Sequence, residues 1–119
     1  MSSKNPLAQS LRLLDDKYEA FVAELAKDLS RRHPTVLGER SELPVAGVRA
    51  AFESFVAQAE SGRSAVDADV LALSDSIMKV FAHVVGRAAW KPAMALAWHG
   101  AMAGSGEVLL NRLRELDEL

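Results

Sequence analysis

Apolar residues recur along this chain at three- and four-residue steps, and that spacing confines it to helices. Leu11, Leu14, Tyr18, Phe21, Val22, Leu25 and Leu29 draw one continuous stripe, as the core-facing side of an amphipathic helix does. Asp15, Asp16, Glu19, Lys27, Asp28 and Arg31 occupy the remaining surface, with Asp28 and Arg32 spaced for an i,i+4 pair. Asn5 can cap the free amides and Pro6, which has no donor of its own, suits a first turn. Pro34 stops the pattern and restricts His33 before it. One helix from about residue 5 to residue 33 is therefore expected. No segment alternates with period two, and neither Asn-Gly nor Asp-Gly occurs, so hairpin signals are absent.

Three more helices follow from the same periodicity. After a connection over residues 35–42, a second helix is expected from near Leu43 to Glu60, capped by Ser41, with Pro44 tolerated in its first turn. Its core face would be Val45, Val48, Phe52, Phe55, Val56 and Ala59, and Ser61-Gly62 ends it. Ser64 with Asp67 three residues on approximates a capping box. A third helix over about 67–87 is apolar on more than one side and reads as the buried one. A fourth starts at Trp90-Lys91-Pro92 and runs toward Glu118. A bend or break is expected at Gly104-Ser105-Gly106, because each glycine costs a helix interior roughly 1 kcal/mol against alanine. The expectation is an all-α, single-domain bundle over residues 1–119, with four helices, or five if the last one breaks.

Composition narrows the function classes. The chain has 119 residues, half hydrophobic and a quarter charged, with net charge −2. It therefore exerts no global pull toward nucleic acid or acidic membranes. Without cysteine there is no disulfide, thiol nucleophile or thiolate metal site. The first residues lack the apolar core of a secretory signal. The longest uncharged stretch, Pro92 to Gly106, falls short of the roughly 20 apolar residues that span a bilayer. A cytoplasmic protein without a transmembrane segment is the expectation.

Residues 90–106 are the most distinctive. Trp90, Met94, Trp98 and Met102 recur every four residues, which makes one ridge of bulky, polarizable side chains on a helix. Beside it lie Ala93, Ala97, Gly100, Ala101 and Gly104, small enough for a second backbone to approach closely. As a core helix the ridge fills volume. As a surface it would be a groove or oligomer interface, where Trp and Met are enriched. Trp98-His99-Gly100 has the Trp-x-Gly form of secreted WXG-type helical hairpins. There the tripeptide sits at a central turn; here it lies near the C-terminus, so the likeness ends at three residues.

Catalytic and metal patterns are missing. His33, His83 and His99 never pair at i,i+3 or i,i+4, so no zinc-type helix signature exists. There is no Gly-x-Ser-x-Gly elbow and no glycine-rich phosphate loop. The sequence thus points to a non-enzymatic interaction or regulatory protein without a cofactor or metal. It would be a homo-oligomer or a partner-binding adaptor, with Trp90, Met94, Trp98, Met102 and His99 as the contact. The alternative is a small-molecule sensor holding a flat or lipid-like ligand, haem included, between helices, with His99 or His83 as its anchor.

Overall fold

The computed structural model describes residues 5–38, 40, 42–59 and 67–116. Five helices follow one another: α1 (Pro6–Leu13), α2 (Tyr18–Arg32), α3 (Val45–Gln58), α4 (Ala68–Val85) and α5 (Pro92–Arg114). No strand occurs among the described residues. The protein is an all-α helical bundle.

The fifth helix arises from a different break than the expected one. The stripe from Leu11 to Leu29 is divided at residues 14–17, where Leu14 N–H donates to Leu11 and Lys17 N–H donates to Leu14. These tightened i→i+3 bonds let Leu14 remain fully covered while Asp15 and Asp16 point outward. The division also redirects the chain: α1 packs on α5 and α3, whereas α2 packs on α4 and α3. One straight helix could not serve both sides.

At residues 104–106 α5 runs on unbroken. A side chain on Gly106 would bring its Cβ to 2.6 Å from Val70 Cγ1. Glycine here admits α4, and that close packing outweighs the helix-propensity cost that predicted a break.

Side-chain caps close two of the five helix N-termini. The Asn5 side chain accepts from Leu7 N–H at 3.0 Å, and Asp67 accepts from Val70 N–H at 3.0 Å. Gly86, at φ 90°, closes α4 in a conformation that side chains resist. Ser41, Ser64 and the stretches up to Glu60 and toward Glu118 lie outside the described residues. Pro44 holds the N-cap position of α3 without a side-chain bond.

The central helix is α5, which packs on α1, α3 and α4, and not α4 as its apolar breadth suggested. On α4, Leu71, Asp75, Lys79 and His83 form an exposed stripe. All four phenylalanines and both tryptophans join in one aromatic core. Trp98 lies 5.6 Å from Phe52, 5.6 Å from Phe55 and 5.5 Å from Phe81, centroid to centroid. Phe21 extends the cluster to Phe52 and Phe81. Such edge and stacked contacts contribute beyond their buried area. Among the described residues no helix is long and apolar enough to cross a membrane.

Candidate functional site

The ridge of Trp90, Met94, Trp98 and Met102 exists, but it faces inward. Trp98 is 0% exposed, and Met94 and Met102 are buried. Trp90 is half-buried and stacks on Phe81 at 4.7 Å with planes 14° apart. The expectation of an outward-facing ridge is therefore corrected: Trp98 and Met102 belong to the core, Trp90 packs against it, and Met94 is buried. Their bulk explains the direction, since turning the larger apolar area inward removes more of it from water.

His99 is exposed on the other side of α5, and His83 is exposed on α4. The rings of Phe52, Phe55 and Phe81 each lie against Trp98, across the space between α3, α4 and α5. Within this core the Trp98 Nε1 and Ser74 Oγ atoms have no hydrogen-bond partner.

Turning the ridge inward places the small residues outside. Ala93 and Leu96 are exposed, and Ala97, Gly100, Ala103 and Gly104 are half-buried. Leu96 is 71% exposed, the highest value among the described large apolar side chains, ahead of Leu71 and Val108. A Cβ placed on Gly100 would meet nothing within 4 Å. This outer face carries no charged side chain from Ala93 until Glu107. Periodicity located it only as the companion of the ridge; the size difference between the two sides of α5 was the signal that identified it as the outer one.

Two surface grooves flank α2. One of about 380 Å³ lies beside Glu19, Ala23, Glu42 and Val45, over Val22, Ala26 and Leu43. Those last three are buried and, with Ala23 and Val45, make its lining more apolar than polar. The other, about 310 Å³, is lined by Glu24, Asp28, Arg31, Lys79, Val80 and His83.

Charged groups serve mainly to fasten elements together. Arg32 donates to Asp28 at 2.7 Å and to Asp75 at 2.9 Å, and Ser76 Oγ donates to Asp28 at 2.7 Å, joining α2 to α4. Burial alone would raise the Asp28 pKa. The Arg32 and Ser76 hydrogen bonds, aided by the charges of Arg32 and Lys79, outweigh it and hold the carboxyl below its usual range. The same carboxylates push Arg32 upward. Burial, with Glu53 adding to it and Arg49 opposing, raises Tyr18 to about 12. Across the far end of α5, Arg114 donates to Val36 O at 2.8 Å and pairs with Asp69 at 2.7 Å. Arg40 donates to Leu113 O at 3.2 Å, a carbonyl at the helix end that also accepts from Leu116 N–H at 3.3 Å.

Among the described residues no group of three or more His, Asp or Glu side chains is placed to hold a metal ion. No family model, curated protein or solved structure matches the chain. On the outer side of α5 apolar surface remains in water, Leu96 above all.

Proposed function

We propose that this chain is a non-enzymatic helical interaction protein that acts as a homo-oligomer, with the outer face of α5 as its contact surface. One observation carries the reading: α5 is apolar on both sides over its first half, while the bundle covers only one of them. Met94, Trp98, Ala101 and Met102 are buried inside; Ala93 and Leu96 remain in water outside. A helix that is apolar all round is ordinarily covered all round. The interface residues differ from those expected from sequence. Trp90, Met94, Trp98 and Met102 support the contact from behind, and His99 lies at its edge.

Light scattering over a concentration series tests the reading. Self-association should rise with concentration, and Leu96→Glu should weaken it at least tenfold while the far-UV helix signal is retained. A chain that stays monomeric up to millimolar concentration would refute it.

A further inference from the structure

The groove of about 380 Å³ beside α2 joins an aliphatic floor to acidic side chains. Glu19, Val22, Ala23 and Ala26 stand at i, i+3, i+4 and i+7, so they share one side of α2. Leu43 and Val45, where the chain enters α3, complete the apolar part, and no aromatic ring contributes to it. Glu19 and Glu42 bring carboxylates to the same groove. Neither has an ion-pair partner among the described residues. The one cation of the lining, Lys27, is engaged elsewhere: its ammonium lies 4.0 Å from Glu24, which lines the other groove and not this one. Two uncompensated negative charges thus stand beside an aliphatic surface.

We infer that this groove binds a linear aliphatic polyamine, with its methylene chain along the floor and its ammonium groups at Glu19 and Glu42. Charge selects the class. An ammonium group donates charge-assisted hydrogen bonds to a carboxylate, whereas an anion or a neutral fatty chain would meet carboxylates it cannot pair. The floor selects the body of the ligand. Methylene stems lie along apolar surface while their charged heads stay in water, as lysine side chains do. A flat aromatic cation would find no ring to stack on.

Size separates a small ligand from a protein partner. The groove's volume of about 380 Å³ falls within the roughly 300–1,000 Å³ of small-molecule sites. A protein interface instead covers about 800 Å² on each partner, far more than these few residues present. A bound metal ion would need a tighter set of ligands, and among the described residues no group of three His, Asp or Glu is placed to hold one. Glu19 and Glu42 are exposed, so salt screens their attraction. Binding is therefore weak and falls as ionic strength rises. The site shares no residue with the outer face of α5 and does not depend on self-association.

Titration calorimetry of the full chain with spermidine at low ionic strength tests the inference. Wild type should bind one equivalent saturably, and hexane-1,6-diol, an aliphatic chain without charge, should not bind. Glu19→Gln and Glu42→Gln should each weaken spermidine binding about two- to fivefold, the range of one exposed ion pair. Glu107→Gln removes the same charge from α5 and should leave it unchanged. Ala23 is exposed and leucine is a good helix former, so Ala23→Leu should keep the fold by circular dichroism. It retains both carboxylates but fills the groove, and it should abolish binding. If Ala23→Leu binds like wild type, or Glu107→Gln weakens binding as much as Glu19→Gln, spermidine is only a counter-ion of a chain of net charge −2 and the inference is wrong. Tighter binding of a lysine–alanine peptide than of spermidine would overturn it as well, in favour of a protein partner.

Discussion

The same substitution, glycine to alanine, should change stability in opposite directions at two positions six residues apart in α5. At Gly100 the new methyl group meets nothing within 4 Å, so the variant collects the helix-propensity gain of about 1 kcal/mol. At Gly106 that gain meets a clash, because the methyl would sit 2.6 Å from Val70 Cγ1 and 3.2 Å from Met102 Cε. Ordinary carbon contacts lie near 3.5–4.0 Å. Met102 can swing its terminal methyl aside, but Val70 is β-branched within a helix and held to one rotamer. Helices α4 and α5 must therefore part, at the roughly 1–3 kcal/mol typical of an overfilled core. Subtracting the propensity gain leaves Gly106→Ala about 1 kcal/mol less stable than wild type, a spread near 2 kcal/mol between the variants. At about 4 °C per kcal/mol for a chain of this size, melting points should differ by ~8 °C. Urea unfolding followed by circular dichroism, at concentrations too low for self-association, reads the difference. Val70→Ala should rescue Gly106→Ala, giving a coupling of ~1 kcal/mol in the double-mutant cycle. If both alanines stabilise equally, or the cycle is additive, Val70 does not face Gly106 and the pairing of α4 with α5 described above is wrong.

Two further outcomes test the core. Trp98→Ala should lower stability by about 3–5 kcal/mol, a large fraction of the roughly 5–15 kcal/mol a domain possesses, whereas Leu96→Ala should stay within ~0.5 kcal/mol; equal effects in chemical denaturation would contradict the inward direction of the ridge. Tyr18 is the one tyrosine of the chain and its hydroxyl is raised to about 12. A folded pKa above the unfolded value of about 10 means a contribution present below pH 10 and lost as pH climbs toward 12. Absorbance at 295 nm should therefore show phenolate only near pH 12 or together with unfolding. A midpoint at 10 in a chain still helical by circular dichroism would contradict that burial.

How much of this was legible beforehand depends on what each feature needs. The stripe of Phe21, Val22, Leu25 and Leu29 lies on one side of one helix, and spacing alone reveals it. The break at residues 14–17 does not show, because Leu11, Leu14 and Tyr18 keep their spacing across it and Lys17 offers no capping side chain. Its cause is tertiary: α1 and α2 have different neighbours. The continuity of α5 through Gly104 and Gly106 is likewise decided by Val70, which is distant in sequence. For the Trp/Met ridge, periodicity established that four side chains align but left their direction open, since both sides of the helix are apolar. Relative bulk supplies the missing criterion. Arg40 and Arg114 secure their partners across more than thirty residues, beyond the reach of any local pattern.

The two halves of α5 show what a covering element does for this helix. Leu110 follows Leu96 by fourteen residues, which returns it to within about 40° of the same azimuth on an α-helix. Yet Leu110 is 1% exposed and Leu96 is 71% exposed. Toward the end that holds Leu110, α5 is tied to Val36 and Arg40, with Arg114 donating to Val36 O and Arg40 donating to Leu113 O. Over the end that holds Leu96 no described segment of the chain takes that place. The sequence of the open half is nonetheless apolar and small, with no charged side chain from Ala93 until Glu107. A surface evolved only to meet water would not need Gly100 in mid-helix, and a charged residue at that position would cost the bundle nothing.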